Sequence, residues 1–311
     1  MEQNKEATFV SAVIYCCNDA ERIGNFIRKL DNTLKTNFRK YELVVVDDAS
    51  NDNSVSIIKE YVSRLNADEE GHPITILNMS YRQGLEASMN AGINLAIGDF
   101  VFEFDSVNDD YDQSLIMDVY RCSLSGYDIV SARSDSGARF MSRCYYSLFN
   151  KYANLQHTIE TESFRILSRR AYNRIHSITQ SIPYRKAAYA NSGLLACSLT
   201  YIPTTKLKKK RYNDSWMVAV ESLLLFTDVP FRATMILAAL MFLLSMSVGI
   251  YALVYKLLSN PVEGWTTTIF FISFGFSGLF VILSMVIRYM QTLIRLGFRK
   301  KEYLFESIEK L

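Results

Sequence analysis

Tyr41-Glu-Leu-Val-Val-Val-Asp-Asp-Ala-Ser50 is the stretch that decides the fold. Leu43 to Val46 is a short run rich in β-branched residues, the mark of a strand buried on both faces. Asp47 and Asp48 stand at its carboxyl end, followed by the polar turn Ala49-Ser50-Asn51-Asp52-Asn53. In open α/β sheets, ligands sit outside the carboxyl ends of the strands. Two acids there can accept hydrogen bonds from a base or a sugar, or hold a cation. Capping of the next helix, Val55 to Leu65, by Asp47 or Ser50 would explain one polar residue but not two adjacent acids. Asp47 and Asp48 are therefore candidate ligand contacts.

The flanking segments repeat the pattern. Thr8 to Tyr15 reads as a strand, Cys16 to Glu21 as a loop and Arg22 to Asn32 as a helix. Asn18 or Asp19 suits the cap of that helix and Glu21 its first turn, and the same loop lies at a strand's carboxyl edge. Pro73 to Asn78 is a third strand. Gly84 to Ala96 is a helix with small residues (Gly84, Ala87, Ser88, Ala91, Gly92) suited to close packing. Gly98 to Asp105 is a fourth strand, ending in another acid and the loop Ser106-Val-Asn-Asp-Asp-Tyr-Asp112. Strands alternating with helices imply a largely parallel, doubly wound sheet. Its two acidic edges, Asp47/Asp48 and Asp105 with its loop, would face one crevice suited to a nucleotide and a divalent cation. Neither GxxxxGK[ST] nor GxGxxG occurs, so the phosphate grips those motifs provide are excluded.

A formal charge of +2 argues against general nucleic-acid binding. The five cysteines show no CxxC spacing and read as reduced thiols in a cytosolic domain. The polar N-terminus lacks the pattern of a signal peptide. Composition changes beyond Phe231. Ala233 to Tyr255 and Trp265 to Ile287 are each about 23 residues without a charge, long enough to cross a bilayer. The short connection Lys256 to Gly264 makes them an antiparallel hairpin. Lys206, Lys208, Lys209, Lys210, Arg211 and Arg232 precede it, and Arg288, Arg295, Arg299, Lys300 and Lys301 follow. Positive flanks put both termini and the large domain on the cytoplasmic side of an inner or plasma membrane. The expected organisation is a soluble α/β domain over 1–211, amphipathic interfacial helices over 212–232, a two-helix transmembrane hairpin over 233–288 and a basic cytoplasmic tail over 289–311.

The run from the CNDAE loop through VVVDDAS to YRQGLEASMNAGINLAIGDFVFEFD resembles the family-2 glycosyltransferases of GT-A fold. Thr161-Glu-Ser-Phe-Arg-Ile-Leu-Ser-Arg-Arg170 resembles the GDFRLxxR segment of the branch holding dolichyl-phosphate mannose synthases and bacterial polyprenyl-phosphate glycosyltransferases. The resemblance covers nearly the whole chain, including the two spans and basic tail. It implies a nucleotide-sugar donor, a polyprenyl-phosphate lipid acceptor, Mg2+ or Mn2+, and oligomers such as tetramers. It places Asp48 on the uracil or guanine, with Asn18 and Glu21 close by, and Asp105 on the metal that bridges the diphosphate. Arg139 and Arg165 fall near the acceptor phosphate, and Lys209 and Arg211 in a basic segment over the donor. Gly249, Gly275 and Gly278 would support contacts between copies.

Two departures stand out. Where the family has DxD, this chain has Asp105-Ser106-Val107, and Val107 binds no cation; Asp110 is the next acid able to share a metal with Asp105. The acid of GDFR is Ser163 here, flanked by Glu160 and Glu162. A phosphate acceptor is already anionic near neutral pH and needs no general base, whereas a hydroxyl acceptor does. The expectation is a membrane-anchored, inverting transferase that moves a sugar from a UDP-sugar to polyprenyl phosphate and so feeds envelope glycans. The alternatives are a hydroxyl acceptor served by Glu160 or Glu162, and a non-catalytic relative that has lost its metal.

Overall fold

The computed structural model describes residues 5–65, 74–135, 140–152, 157–178, 184–204 and 303–311, with single helical positions between 236 and 293. In chain order the elements are β1 (Glu6–Cys16), α1 (Ala20–Asn37), β2 (Phe38–Asp47), α2 (Ser54–Leu65), β3 (Ile74–Met79), α3 (Leu85–Leu95), β4 (Phe100–Phe104) and α4 (Ser114–Leu124). There follow β5 (Ile129–Ser134), α5 (Phe140–Tyr152), β6 (Phe164–Ser168), α6 (Arg169–Ile178), α7 (Arg185–Ala190), β7 (Ala196–Tyr201) and β8 (Phe305–Lys310). They build one sheet in the order β7-β5-β6-β4-β1-β2-β3-β8.

The segment β4-β1-β2-β3 is parallel throughout, as alternating strands and helices require. Beyond it the sheet is mixed: β6 runs antiparallel to both β4 and β5, and β7 is parallel to β5. Successive side chains of a strand point to opposite faces. Val10, Ala12 and Ile14 of β1 accordingly join Leu43 and Val45 of β2 under Ile23, Phe26, Ile27 and Leu30 of α1. Val13 and Tyr15, with Val44 and Val46, lie on the other face against Met89, Ala91 and Ile93 of α3. The small residues of α3 have a visible purpose. A Cβ at Gly92 would come within 2.4 Å of Val46 Cγ2 and 2.6 Å of Val13 Cγ1, so only glycine lets the helix rest on the sheet.

Strand order reverses at β1, with β2 on one side and β4 on the other. Ligand crevices form at such switch points. The register pairs Cys16 with Asp47 and Ile14 with Phe104, so Asp48 and Asp105 emerge at the same carboxyl edge with β1 between them.

The expected basic tail over 289–311 is corrected in its last part, because residues 305–310 form β8, antiparallel to β3. Asn78 Nδ2 donates to Ser307 Oγ and to Glu309 Oε1 at 2.9 Å, and Lys59 Nζ lies 2.6 Å from Glu309. The pattern Phe305-Glu-Ser-Ile-Glu-Lys310 is a weak strand signal, and its partner lies more than 200 residues away in sequence.

The chain divides into two compact units: Met1–Asn150, Leu155–Val218 and Lys300–Leu311 in the first, Lys151–Asn154 and Ala219–Arg299 in the second. In the second, Gly278 meets the Met241 side chain of the same copy, while the space before Gly275 is open. Among the described residues no helix is long and apolar enough to cross a membrane. Most of the two expected spans, the interfacial helices over 212–232 and Gly249 lie outside the described residues.

Candidate active site

The loops after β1 and β2 are tied to each other. Asp48 N–H donates to the Cys16 carbonyl at 2.9 Å, Asn18 N–H to Ser50 Oγ at 2.9 Å, and Asn51 N–H to Asn18 Oδ1 at 2.7 Å. Asn18 and Ala49 both sit in the left-handed region, with φ of 52° and 51°. Asn tolerates that conformation better than Ala does. The start of α2 is capped by Asp52, whose Oδ1 accepts Ser54 N–H at 3.0 Å, so neither Asp47 nor Ser50 is spent as its cap. At α1 the N-cap Asp19 makes no capping side-chain bond, and Ala20 N–H donates instead to Asp52 Oδ2 at 3.0 Å. Glu21 is exposed in the first turn of α1.

The two adjacent acids differ. Asp48 has no exposed surface, and Tyr15 Oη donates to it at 2.8 Å, Gln83 N–H at 2.7 Å and Gly84 N–H at 2.9 Å. Gly84 reaches it through a φ of 87° that favours glycine. The carboxylate of Asp48, the expected nucleobase contact, anchors the loop before α3, because burial requires its oxygens to be paired. Asp47 is bound on one side only. Its Oδ2 accepts Ser50 N–H at 3.0 Å, and its Oδ1 is buried with no partner among the described residues. Burial, despite the Ser50 bonds, pushes the Asp47 carboxyl above the usual carboxylate range. The Cys16 thiol beside it is pushed up to about 12, chiefly by burial, and stays protonated. The cysteines described, Cys16, Cys17, Cys122 and Cys197, are free thiols.

At the end of β4 lies a buried charge cluster. Asp105 Oδ2 accepts from Arg165 Nη2 and Oδ1 from Arg185 Nη2, each at 2.7 Å. Glu103 Oε2 accepts from Arg165 Nη1 at 3.0 Å and Arg185 Nη1 at 2.6 Å, and Tyr189 Oη donates to Glu103 Oε1 at 2.6 Å. Glu162 holds Arg165 Nε at 2.8 Å, and Glu86 holds Arg185 Nε at 3.0 Å. Arg165 is 1% exposed and Arg185 0%. Burial works against the ionised form of Asp105, but the two guanidiniums outweigh it and hold the carboxyl well below the usual carboxylate range. Burial dominates at Glu103 and raises it. A pocket of about 180 Å3 opens beside Arg165, lined among others by Ser131, His157, Glu162, Lys186 and Tyr189.

The acidic loop after Asp105 is also occupied. Arg22 Nη1 donates to Asn108 at 3.0 Å, and Lys29 Nζ pairs with Asp109 at 2.5 Å. Val107 is 3% exposed, in the core. Asp110 is buried and accepts Tyr201 Oη at 2.8 Å, while Ser163 Oγ bonds the same hydroxyl at 2.6 Å. Glu160 is ion-paired with Arg133.

Among the described residues, Asp105 and Asp110 do not by themselves complete a ligand set for the divalent cation that the sequence suggests. Among the described residues no three acids, histidines or cysteines are grouped to hold one. Asp105 has given both oxygens to guanidiniums and Asp110 one to a phenol. Asp105 and Asp110, the expected metal ligands, are held by Arg165 and Arg185 and by Tyr201 respectively, and Arg165, expected near the acceptor, lines the pocket. Arg139, Lys209 and Arg211 lie outside the described residues. Arg185, Glu103, Glu86 and Tyr189 were missed by the sequence reasoning. The only signal for Arg185 is a basic pair, Arg185-Lys186, in an otherwise uncharged stretch.

A doubly wound sheet with polar loops gathered at its switch point is the architecture of an enzyme that binds its ligand across the strand ends. The model of the family described as glycosyl transferase family 2 matches residues 11–176, more than half of the chain. The protein belongs to that family and is a glycosyltransferase.

It is similar to the uncharacterized glycosyltransferase sll0501 of Synechocystis, with 23% identity over 265 residues that cover 82% of this chain and 80% of that protein. It is also 32% identical over 125 residues to the undecaprenyl-phosphate 4-deoxy-4-formamido-L-arabinose transferase of Proteus mirabilis, covering 40% of this chain and 36% of the other. Among solved structures, the mannosyltransferase of Pyrobaculum calidifontis in complex with GDP-Man and Mn2+ matches with a TM-score of 0.46 at 14% identity, over 95% of this chain and 89% of that one.

Proposed function

We propose that this glycosyltransferase moves a sugar from a nucleotide-sugar, a UDP-sugar in the first instance, to polyprenyl phosphate at the cytoplasmic face of a membrane, with inversion. One observation carries the choice of acceptor. The acids around Ser163 are already committed, Glu160 to Arg133 and Glu162 to Arg165. A hydroxyl acceptor needs a base to take its proton, whereas a phosphate oxygen attacks the sugar carbon as an anion. The commitment of both glutamates favours the phosphate. The partial similarity to undecaprenyl-phosphate sugar transferases points the same way.

The membrane hairpin over 233–288 is part of the proposal. Ile236, Leu240 and Leu243 in the first stretch, and Leu279, Leu283, Val286, Met290 and Leu293 in the second, are exposed at helical spacings of three and four. An exposed apolar stripe of that length calls for a lipid or protein cover. Because β8 returns to the sheet that β1 began, a segment between them that enters a membrane crosses it an even number of times. Both termini are then on one side, the cytoplasmic side by the positive flanks. Association of copies, a tetramer by resemblance, would use the open face at Gly275.

Membranes containing the protein, incubated with a panel of radiolabelled nucleotide-sugars, are expected to yield a chloroform-soluble, acid-labile labelled sugar. Label that appears only in acid-stable or water-soluble product would overturn the phosphate acceptor. The absence of product from every donor would favour the non-catalytic alternative.

A further inference from the structure

We infer that donor binding in this protein uses no divalent cation, because the guanidiniums of Arg165 and Arg185 each hold an oxygen of the carboxylate that would bind one. The inference rests on the nucleotide-sugar reading above and deepens it.

Asp105 stands at the end of β4, beside the switch point of the sheet. Its two oxygens are bound at 2.7 Å by guanidiniums from two different elements, β6 and α7. Neither arginine can swing away freely. Arg165 is also held by Glu103 and Glu162, and Arg185 by Glu103 and Glu86, all at 2.6 to 3.0 Å. At 1% and 0% exposure, neither has water to replace a lost partner. A cation binding Asp105 must therefore share oxygens that each already accept from a guanidinium, or strip a buried guanidinium of its acceptor. The latter lowers its affinity on the order of 10²- to 10³-fold by the usual cost of breaking a buried pair.

Among the described residues the usual helpers are missing as well. Val107 offers no donor atom and is 3% exposed. Asp110 is turned inward, with Oδ1 on the Tyr201 phenol and its carbonyl on Thr204 N–H at 2.9 Å. Asp105, Glu103, Glu162 and Glu86 share the two guanidiniums, and Lys186 adds to the positive field at Asp105. Arg185 is thus a positioning residue: it closes Asp105, and Glu103 and Glu86 keep it in place.

The full-length protein in detergent, titrated with Mn2+ alone and followed by the electron spin resonance of free Mn2+, tests this. The expected result is no stoichiometric uptake up to about 1 mM, a range in which weak protein sites for hard cations are already filled. UDP and GDP, titrated separately by calorimetry, are expected to bind with affinities that differ less than about twofold between EDTA and Mn2+. Stoichiometric Mn2+ uptake that disappears in Asp105→Asn overturns the inference, as does a nucleotide affinity raised about tenfold or more by Mn2+. Should Asp105→Asn fail to fold, wild-type uptake by itself overturns it. If neither nucleotide binds in either condition and no Mn2+ is taken up, the closed carboxylate stands and the nucleotide-sugar reading falls.

Discussion

Replacing Arg185 by Met removes one of the two guanidiniums in the buried cluster while keeping a long side chain to fill the space. Three carboxylates each lose one donor: Glu86 at 3.0 Å, Glu103 at 2.6 Å and Asp105 at 2.7 Å. None loses every partner. Glu86 keeps the backbone N–H of residue 185 at 3.0 Å, Glu103 keeps Arg165 and Tyr189, and Asp105 keeps Arg165. The loss is nonetheless that of a buried pair broken from one side, about 3–5 kcal/mol, a large share of the roughly 5–15 kcal/mol by which domains are stable. For a domain of this size it corresponds to a melting point lowered by about 6–20 °C. Lys29→Met is the control. Lys29 pairs with Asp109 at 2.5 Å, but with 45% of its side chain exposed, so its loss costs about 0–1 kcal/mol.

The pH dependence adds an independent check. Asp105 has its carboxyl held below the usual range, so its stabilisation is present above its unfolded value near 3.9 and is lost as pH falls through the folded one. Glu103 is raised by burial, so its contribution is complete below its unfolded value near 4.3 and is lost as pH rises through the folded one. Losing Arg185 makes the first gain smaller and the second loss larger. The gap in melting temperature between wild type and Arg185→Met therefore widens from pH 4 to pH 7. Thermal unfolding of the full chain at several pH values measures it. A gap no larger than that of Lys29→Met, or one that narrows as pH rises, would refute the buried cluster as the keystone of this edge.

Two further outcomes follow from the packing. Deleting residues 303–311 removes β8 and frees Gln83, whose Oε1 accepts Leu304 N–H at 2.9 Å and whose own N–H holds Asp48. The truncated protein should melt lower and bind UDP or GDP more weakly by calorimetry; unchanged nucleotide affinity would separate the carboxyl-terminal strand from the site. Gly92→Ala forces a methyl group against Val46 and Val13 and should cost about 1–3 kcal/mol in urea unfolding, as overpacked cores do. A loss below about 0.5 kcal/mol would mean that α3 shifts freely on the sheet.

The strand of Leu43 to Val46, the helices at 22–32, 55–65 and 84–96, and the acids at the ends of β2 and β4 are all legible in the sequence, because they rest on local pattern. β-branched runs, helical periodicity and small residues act over a few neighbours. Element ends were less well read. β2 begins at Phe38, well before Leu43, because its first residues are held by pairing with β1. The family was legible for the same local reason, through the VVVDDAS and GLEAS stretches. β8 was not, since Phe305 to Lys310 becomes a strand only by pairing with β3.

What the sequence determined by itself was the winding of the sheet and the edge at which its acids emerge, since backbone preference and hydrophobic period are written locally. Whether those acids are open to a ligand was decided only by the tertiary structure. Arg165 and Arg185 stand 60 and 80 residues beyond Asp105, and Gln83 stands 35 beyond Asp48. A carboxylate's availability depends on which donors folding brings within about 3 Å of it, and no spacing along the chain records that distance.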